Sequence, residues 1–472
     1  MELIWFIYLI CCVHLISGLL KFPERNGNSE NFVSMATISS SQEYDDTKVK
    51  LIETNFNMTY LSFVNLQYPN SPVAPRTDGG YYIAFKDKSQ YLHVLSYDKN
   101  DKLLKDFNIQ EKAYPIELTS VENGFVVYMA DVDNLYHSYL SLYNKSFQLV
   151  KKVQIMNNSP KDDKTVDSTL QKQIIRYGTD SKPVFGMRFM YKPNGAKLIY
   201  SGKRIFLIFS HYNYFLDSGE HMGDTIITFN NALNDMDFGI TWGASHSLIQ
   251  SATADENYFL TAALSDGYPQ GIKITYTSKT EFSSSFDPVN NKKNQRIDKV
   301  DQNLAVIKGY HNGVSDGKLG GILYFEKSKI YCLIYAKTPN ESDGKNYIYM
   351  TTWQFQNDEI KNNKTMVVKT FESGKNIMHV RAGKFGDDKV FITYMETTSA
   401  NTALGNVPKG TIPNFFLIDV PNRKKLKSDV KLTKLIMNTN EDLRTFEDGV
   451  LIWATSNKDG KLSIIKIGTV KY

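Results

Sequence analysis

A short run of β-branched and aromatic residues recurs seven times along these 472 residues, each time after a tight polar turn. The runs are Tyr81–Phe85, Phe125–Met129, Ile205–Phe209, Tyr258–Leu264, Ile330–Tyr335, Val390–Met395 and Val450–Ala454. Such residues fit a pleated, buried surface, and Gly, Asn and Asp at the preceding positions (DGG 78–80, ENG 122–124, EDG 447–449) are hairpin signals. A further strand pattern follows each run: Leu92–Tyr97, Ser138–Tyr143, Thr225–Phe229, Ile272–Tyr276, Tyr347–Trp353, Phe415–Val420 and Leu462–Ile467. Strands also precede the turns, and Gly195 and Gly320 each stand ten residues before the next run. With a terminal strand such as Leu149–Ile155, each unit has three or four strands.

No long window shows the 3.6-residue period of a helix, so the fold class is all-β. One unit cannot bury both of its faces, whereas a ring lets every unit pack on two neighbours and leaves no end to cap. The expected architecture is a single β-propeller over 58–472, of seven blades of four antiparallel strands. Six or eight blades follow if one hairpin is an insertion or if residues 21–75 build another blade. Tyr60–Leu66 is the expected strand that completes the last blade, and residues 21–57 read as an extended polar segment.

Residues 3–20 are almost uninterruptedly apolar, and the span 1–20 reads as a signal peptide cleaved near Ser17-Gly18 or as a signal anchor. Both readings place the bulk of the chain in a secreted or extracellular position, with membrane attachment only through an uncleaved N-terminal segment. Cys11 and Cys12 fall in this leader, so Cys332, inside the apolar run IYCLIY, is left without a partner and is expected to be a buried thiol. Sequons at Asn57, Asn144, Asn157, Asn340 and Asn363 permit glycosylation. The 55 basic and 50 acidic residues are near balance and carry no nucleic-acid footprint.

No nucleophile elbow, phosphate-binding loop, HExxH or paired CxxC stands in a supporting context. The repeat register instead brings Asp87, Asp131, His211, Asp266, Lys337, Glu396 and Ser456 to one face of the disc. These are either solvated turn residues or the mouth of a channel that binds a cation or a polyhydroxy ligand. No cofactor is expected beyond such a channel-bound cation. The loops 211–224, 279–300, 338–345 and 397–412 read as insertions, and the basic run Arg423, Lys424, Lys425, Lys427 and Lys431, placed in a hairpin connection, as a solvated face or an edge-strand guard.

The densest polar cluster spans His211–Ile272, where His211, His221, Asp224, Trp242, His246, Asp266 and Tyr268 form the candidate ligand-binding set. His211, His221, His246 and Asp224 also suit a transition metal by residue type, though their spacing matches no standard motif. Local inter-blade packing of the same residues is the third reading. The patterns WGASHS (242–247) and SDGYPQGI (265–272) resemble those of secreted propeller-like proteins of bacteria and protists with no assigned activity. That resemblance implies the fold and export, and it transfers no catalytic residue. The resulting expectation is a non-enzymatic binding or scaffold protein with a protein or glycan ligand. The competing one is a hydrolase or lyase of an extracellular glycan, with Asp224, His246 and Asp266 as acid/base groups.

Overall fold

Each of the seven apolar runs becomes the second strand of an antiparallel sheet: Tyr81–Lys86, Gly124–Asp131, Arg204–Phe215, Tyr258–Ser265, Ile330–Lys337, Lys389–Thr397 and Leu451–Ser456. The computed structural model describes residues 42–44, 47–54, 71–133, 137–156, 188–189, 196–215, 219–234, 236–241, 250–265, 271–279, 299–305, 310–311, 314–315, 318–337, 345–356, 359–398, 413–431, 442–456 and 462–469. Every regular element among them is a strand. The third strand of each sheet is the second member of the hairpin read from the sequence, for example Tyr91–Tyr97 in the first sheet and Leu462–Thr469 in the seventh. One long strand, Leu103–Val121, serves as the fourth strand of the first sheet and then as the first strand of the second.

The first, innermost strands of successive sheets lie side by side. They are Val73–Pro75, the latter half of Leu103–Val121, Ala196–Ser201, Gln250–Ala254, Lys318–Phe325, Asn376–Phe385 and Arg444–Thr445, and the last of them lies against the first. Seven apolar clusters fill the seven spaces between neighbouring sheets, including the one between the seventh and the first. The chain is therefore a β-propeller whose core is a set of interfaces between sheets. This explains why the runs are apolar throughout and do not alternate. In the fifth sheet Tyr331, Leu333 and Tyr335 face the fourth sheet, while Cys332, Ile334 and Ala336 face the sixth. Each large aliphatic side chain so buried, such as Leu333 or Ile334, stabilises the fold by roughly 1.5–3 kcal/mol before entropy is counted.

Closure comes from the N-terminal side, but from a different segment than Tyr60–Leu66, which lies outside the described residues. Thr47–Thr54 pairs antiparallel with Leu462–Thr469 along its whole length, from Thr47 opposite Thr469 to Thr54 opposite Leu462. The closing strand thus falls inside the stretch 21–57 read as a polar extension. Its sequence, TKVKLIET, alternates weakly enough that its partner, and not its own composition, determines its place.

The turns between third and fourth strands recur as latches onto the preceding sheet. Asp101, Phe147, Leu233 and Arg423 each adopt positive φ (53° to 67°) at such a turn. Asp101 accepts hydrogen bonds from Lys466 of the seventh sheet (2.8 Å) and Tyr81 (3.0 Å). Phe147 packs against Tyr82 and Phe107 of the first sheet, Leu233 joins the core between the second and third sheets, and Arg423 reaches Thr352 of the fifth. Lys279 plays the same part for the fourth sheet, donating to Ser201 of the third at 2.6 Å.

Glycine is required where two of the turns meet other backbone. Gly124 has φ 151° and a Cβ there would sit 1.9 Å from the Tyr143 carbonyl oxygen, while at Gly449 (φ 82°) it would sit 2.3 Å from the Gly386 nitrogen. Cys332 is fully buried, as its apolar run implies, and burial pushes its thiol well above the ordinary range. A thiol reagent is expected to label it only at the rate of unfolding, and rapid labelling of the native protein would contradict the packing between the fifth and sixth sheets.

Candidate functional site

Two clusters of polar side chains stand out among the described residues, one at the axis and one at the rim. The axial cluster grows out of innermost strands. Glu117 comes from the second sheet, Lys197 from the third, and Arg444 with the preceding Asp442 from the seventh. Lys197 Nζ lies 2.7 Å from Asp442 and 3.4 Å from Glu117, and Arg444 lies 2.6 Å from Glu117 and 3.5 Å from Asp442. Glu117 and Lys197 are almost fully buried, so two carboxylates and two cations neutralise each other across the axis. Burial pushes the Glu117 carboxyl above its ordinary range even though Lys197 and Arg444 oppose the shift. At Asp442 burial works in the same direction, but Lys197 and Arg444 together outweigh it and hold that carboxyl below the ordinary range. Ser71, Val73 and Trp453 border the same crevice, whose free space of about 10 Å³ suits a single water and no sugar ring.

The rim cluster is built by a bulge in the fifth sheet. Thr352 pairs with Lys364 and Gln354 with Lys361, so Trp353 faces two residues, Asn362 and Asn363, on the fourth strand Glu359–Thr370. Asn362 takes a left-handed conformation (φ 55°) and donates from Nδ2 to Gln354 Oε1 at 2.6 Å. Arg423, at the latch turn of the sixth sheet, forms the opposite wall and donates from Nε to Thr352 Oγ1 at 3.1 Å. Ile330 lies at the floor with the backbone stretch that carries Trp353, whose indole turns the other way, into the core between the fourth and fifth sheets, and donates its N–H to Tyr276 at 2.9 Å. The resulting cleft encloses about 450 Å³, within the range of roughly 300–1,000 Å³ typical of small-ligand sites.

Of the residues singled out in the sequence as a ligand-binding set, His211, His221 and Asp224 lie among the described residues. Asp224 is fully buried and accepts a hydrogen bond from Gln250 of the fourth sheet, which makes it part of an inter-sheet contact. His211 and His221 lie on the two strands of one hairpin, His211 opposite Gly223 and His221 opposite Asn213. Trp242, His246, Asp266 and Tyr268 lie outside the described residues. The stretch 211–224, read as a loop insertion, is instead mostly paired strand, because Arg204–Phe215 and Gly219–Asn230 continue their ladder to Phe215 opposite Gly219.

Of the residues assigned to the channel mouth, Asp87 accepts from the Tyr91 N–H (2.8 Å) and lies 3.3 Å from His93 Nε2. Asp131 accepts from the Asp133 N–H, and Glu396 pairs with Lys375 at 3.1 Å. These three carboxylates are engaged by their own turns and neighbours. Among the described residues no cluster of three metal-ligating side chains occurs. The basic run lies mostly beyond the connection, on an edge: only Arg423 is in the turn, and Lys424–Lys431 forms the outermost strand of the sixth sheet. There Lys425 pairs with Asp429 (3.1 Å) and lies over the Phe416 ring. Of the sequons, Asn144 has its side chain engaged in a turn with Ser146 and Gln148, and Asn363 is exposed in the rim cleft. Asn57, Asn157 and Asn340 lie outside the described residues.

Glu117, Lys197 and Arg444 escaped sequence reasoning. The signal was present, since a charged residue stood within each of two apolar inner strands, PIELTSV and AKLIYS. In the sequence Arg423 stands out only as a charge, because the cleft it walls is completed by Thr352 on another sheet.

No protein-family model matches the chain, and no curated protein matches its sequence. Solved structures similar to it include a lectin, BP39L, from Burkholderia pseudomallei (9% identity, 84% of this chain and 95% of that one, TM-score 0.49). Also similar are the β-propeller domain of Cps50 (Swd1) from Myceliophteria thermophila (9%, 88% and 99%, 0.39) and the WD40 domain of SCAP from fission yeast (7%, 90% and 98%, 0.35).

Proposed function

We propose that this chain is an exported, non-enzymatic binding protein that takes its ligand in the rim cleft between the fifth and sixth sheets. The observation that carries the reading is the contrast between the two polar clusters. At the axis the carboxylates are spent on internal cations in a crevice with no room for a substrate, whereas at the rim hydrogen-bond donors surround open space. Asp224, one of three groups on which a glycan hydrolase or lyase would depend, is buried against Gln250. Export is supported by the apolar leader 3–20 and by a remaining cysteine that sits inert in the core.

The test is expression with the native leader, followed by incubation of the recovered protein with mixed acidic and neutral oligosaccharides. The expected result is protein in the medium that retains a subset of the sugars, with every sugar unchanged in mass. Shortened or unsaturated products would overturn the non-enzymatic reading, and retention of the protein in the cytosol would overturn export.

A further inference from the structure

The geometry points to the rim cleft as a site for an acidic carbohydrate, one whose sugar rings carry carboxylate or sulfate groups; this rests on the binding reading above. Arg423 spends only its Nε on the protein, through Thr352, and its two terminal amino groups have no partner among the described residues. Lys364, directly across the strand from Thr352, brings an exposed ammonium to the same space, likewise without a partner there. Among the described residues no carboxylate lines the cleft. A guanidinium fork beside an ammonium, with no described acid to neutralise either, recognises an oxyanion by charge-assisted hydrogen bonds.

The rest of the lining determines what carries the oxyanion. Asn363 offers a carboxamide that both donates and accepts, and Asn362 and Gln354, which spend one bond on each other and one more from Gln354 Nε2 to the Ser328 carbonyl, add their remaining N–H groups and oxygen lone pairs, which suit the hydroxyls of a sugar ring. Trp353 turns its ring into the core toward the fourth sheet, so among the described residues no exposed ring face is offered in the cleft to stack a nucleobase. The bulge is what turns these groups into a site. It inserts an extra asparagine into the edge strand and puts Asn362 in a conformation uncommon for a side-chain-bearing residue.

Calorimetric titration of the chain from residue 21, unglycosylated because Asn363 heads a sequon, uses four probes: a heparin octasaccharide, an oligogalacturonide, a neutral cello-oligosaccharide and a sulfotyrosine peptide. Binding of at least one acidic sugar is expected, with the two acidic arms distinguishing sulfate from carboxylate. Arg423→Ala and Lys364→Ala should each weaken it about 10- to 100-fold, and Arg423→Lys should fall between, since it keeps the charge and loses the fork.

Lys105→Ala removes an equal charge from the exposed outer strand of the first sheet and should change affinity less than about twofold. An equal loss in Lys105→Ala would show nonspecific polyanion binding and overturn the site. Tighter binding of the sulfotyrosine peptide would overturn the sugar. Binding of the neutral oligosaccharide alone, insensitive to Arg423, would overturn the oxyanion while leaving a binding protein in place. Silence of all four probes would overturn the acidic-sugar site, and the wider binding reading would then be decided by retention from the mixed sugars.

Discussion

Replacing Lys197 by methionine is expected to lower the free energy of unfolding by about 3–5 kcal/mol, the cost of removing one partner from a buried ion pair. The size of the effect follows from what is left behind. Without Lys197, Glu117 and Asp442 share Arg444 alone, and Glu117 is almost completely buried. The double variant Glu117→Leu with Lys197→Met should be less destabilised than Lys197→Met by itself. It leaves Asp442 and Arg444 as a neutral pair and fills the vacated space with apolar atoms. Urea midpoints of the wild type, both single variants and the double variant supply the cycle. A Lys197→Met cost below about 1 kcal/mol, or a double variant that is simply the sum of the singles, would show that the four groups do not act as one unit.

The two carboxyls of this cluster should also leave opposite marks on the pH dependence. Glu117 has its folded pKa raised above the ordinary 4.5, so the stability it contributes is present below that value and is lost as pH rises through the folded one. Asp442 has its folded pKa depressed, so its contribution is present above the ordinary 3.8 and is lost as pH falls through the folded value. Relative to the wild type, Glu117→Gln should therefore gain stability as pH rises from about 4 upward, and Asp442→Asn should gain as pH falls below about 4. The groups facing these carboxyls are Lys197, Arg444 and the more distant Arg381.

The same cluster shows which parts of the molecule were legible in advance. The second strands were legible because a strand covered on both faces by neighbouring sheets carries no alternation to hide it; Tyr81–Lys86 is buried at every position. The turns were legible because positive φ selects a short list of residues, and Gly79, Gly124 and Gly449 stand where they were read. The axial charges were not, because the pairs joining Lys197 to Asp442 and Arg444 to Glu117 span 245 and 327 residues of sequence, and only closure of the ring brings them together. The rim cleft was hidden for a related reason. Its walls belong to successive sheets, and the bulge that opens it appears in the sequence only as two asparagines in a polar stretch. The closing strand was misplaced because the more apolar YLSFVNL, at 60–66, attracted the assignment away from TKVKLIET.

That misplacement provides the second large effect. A chain beginning at residue 21 should fold, and one beginning at residue 58, which keeps Tyr60–Leu66 but loses Thr47–Thr54, should not. The eight-residue pairing with Leu462–Thr469 contributes about 4–8 kcal/mol if each ladder bond nets roughly 0.5–1 kcal/mol, a large share of the 5–15 kcal/mol by which domains are ordinarily stable. Its loss turns Leu462–Thr469, now the interior of a sheet, into an exposed apolar edge carrying Leu462, Ile464, Ile465 and Ile467. The shortened chain should accordingly aggregate or melt well below the longer one, and a synthetic peptide of residues 47–54 should partly restore it in a concentration-dependent manner. Equal melting temperatures for the two chains would mean that the propeller holds its ring without the N-terminal strand. The seventh sheet would then owe its place to packing against the sixth and first sheets alone, through Trp453 and Ile465 on one side and Ile452 and Ile464 on the other.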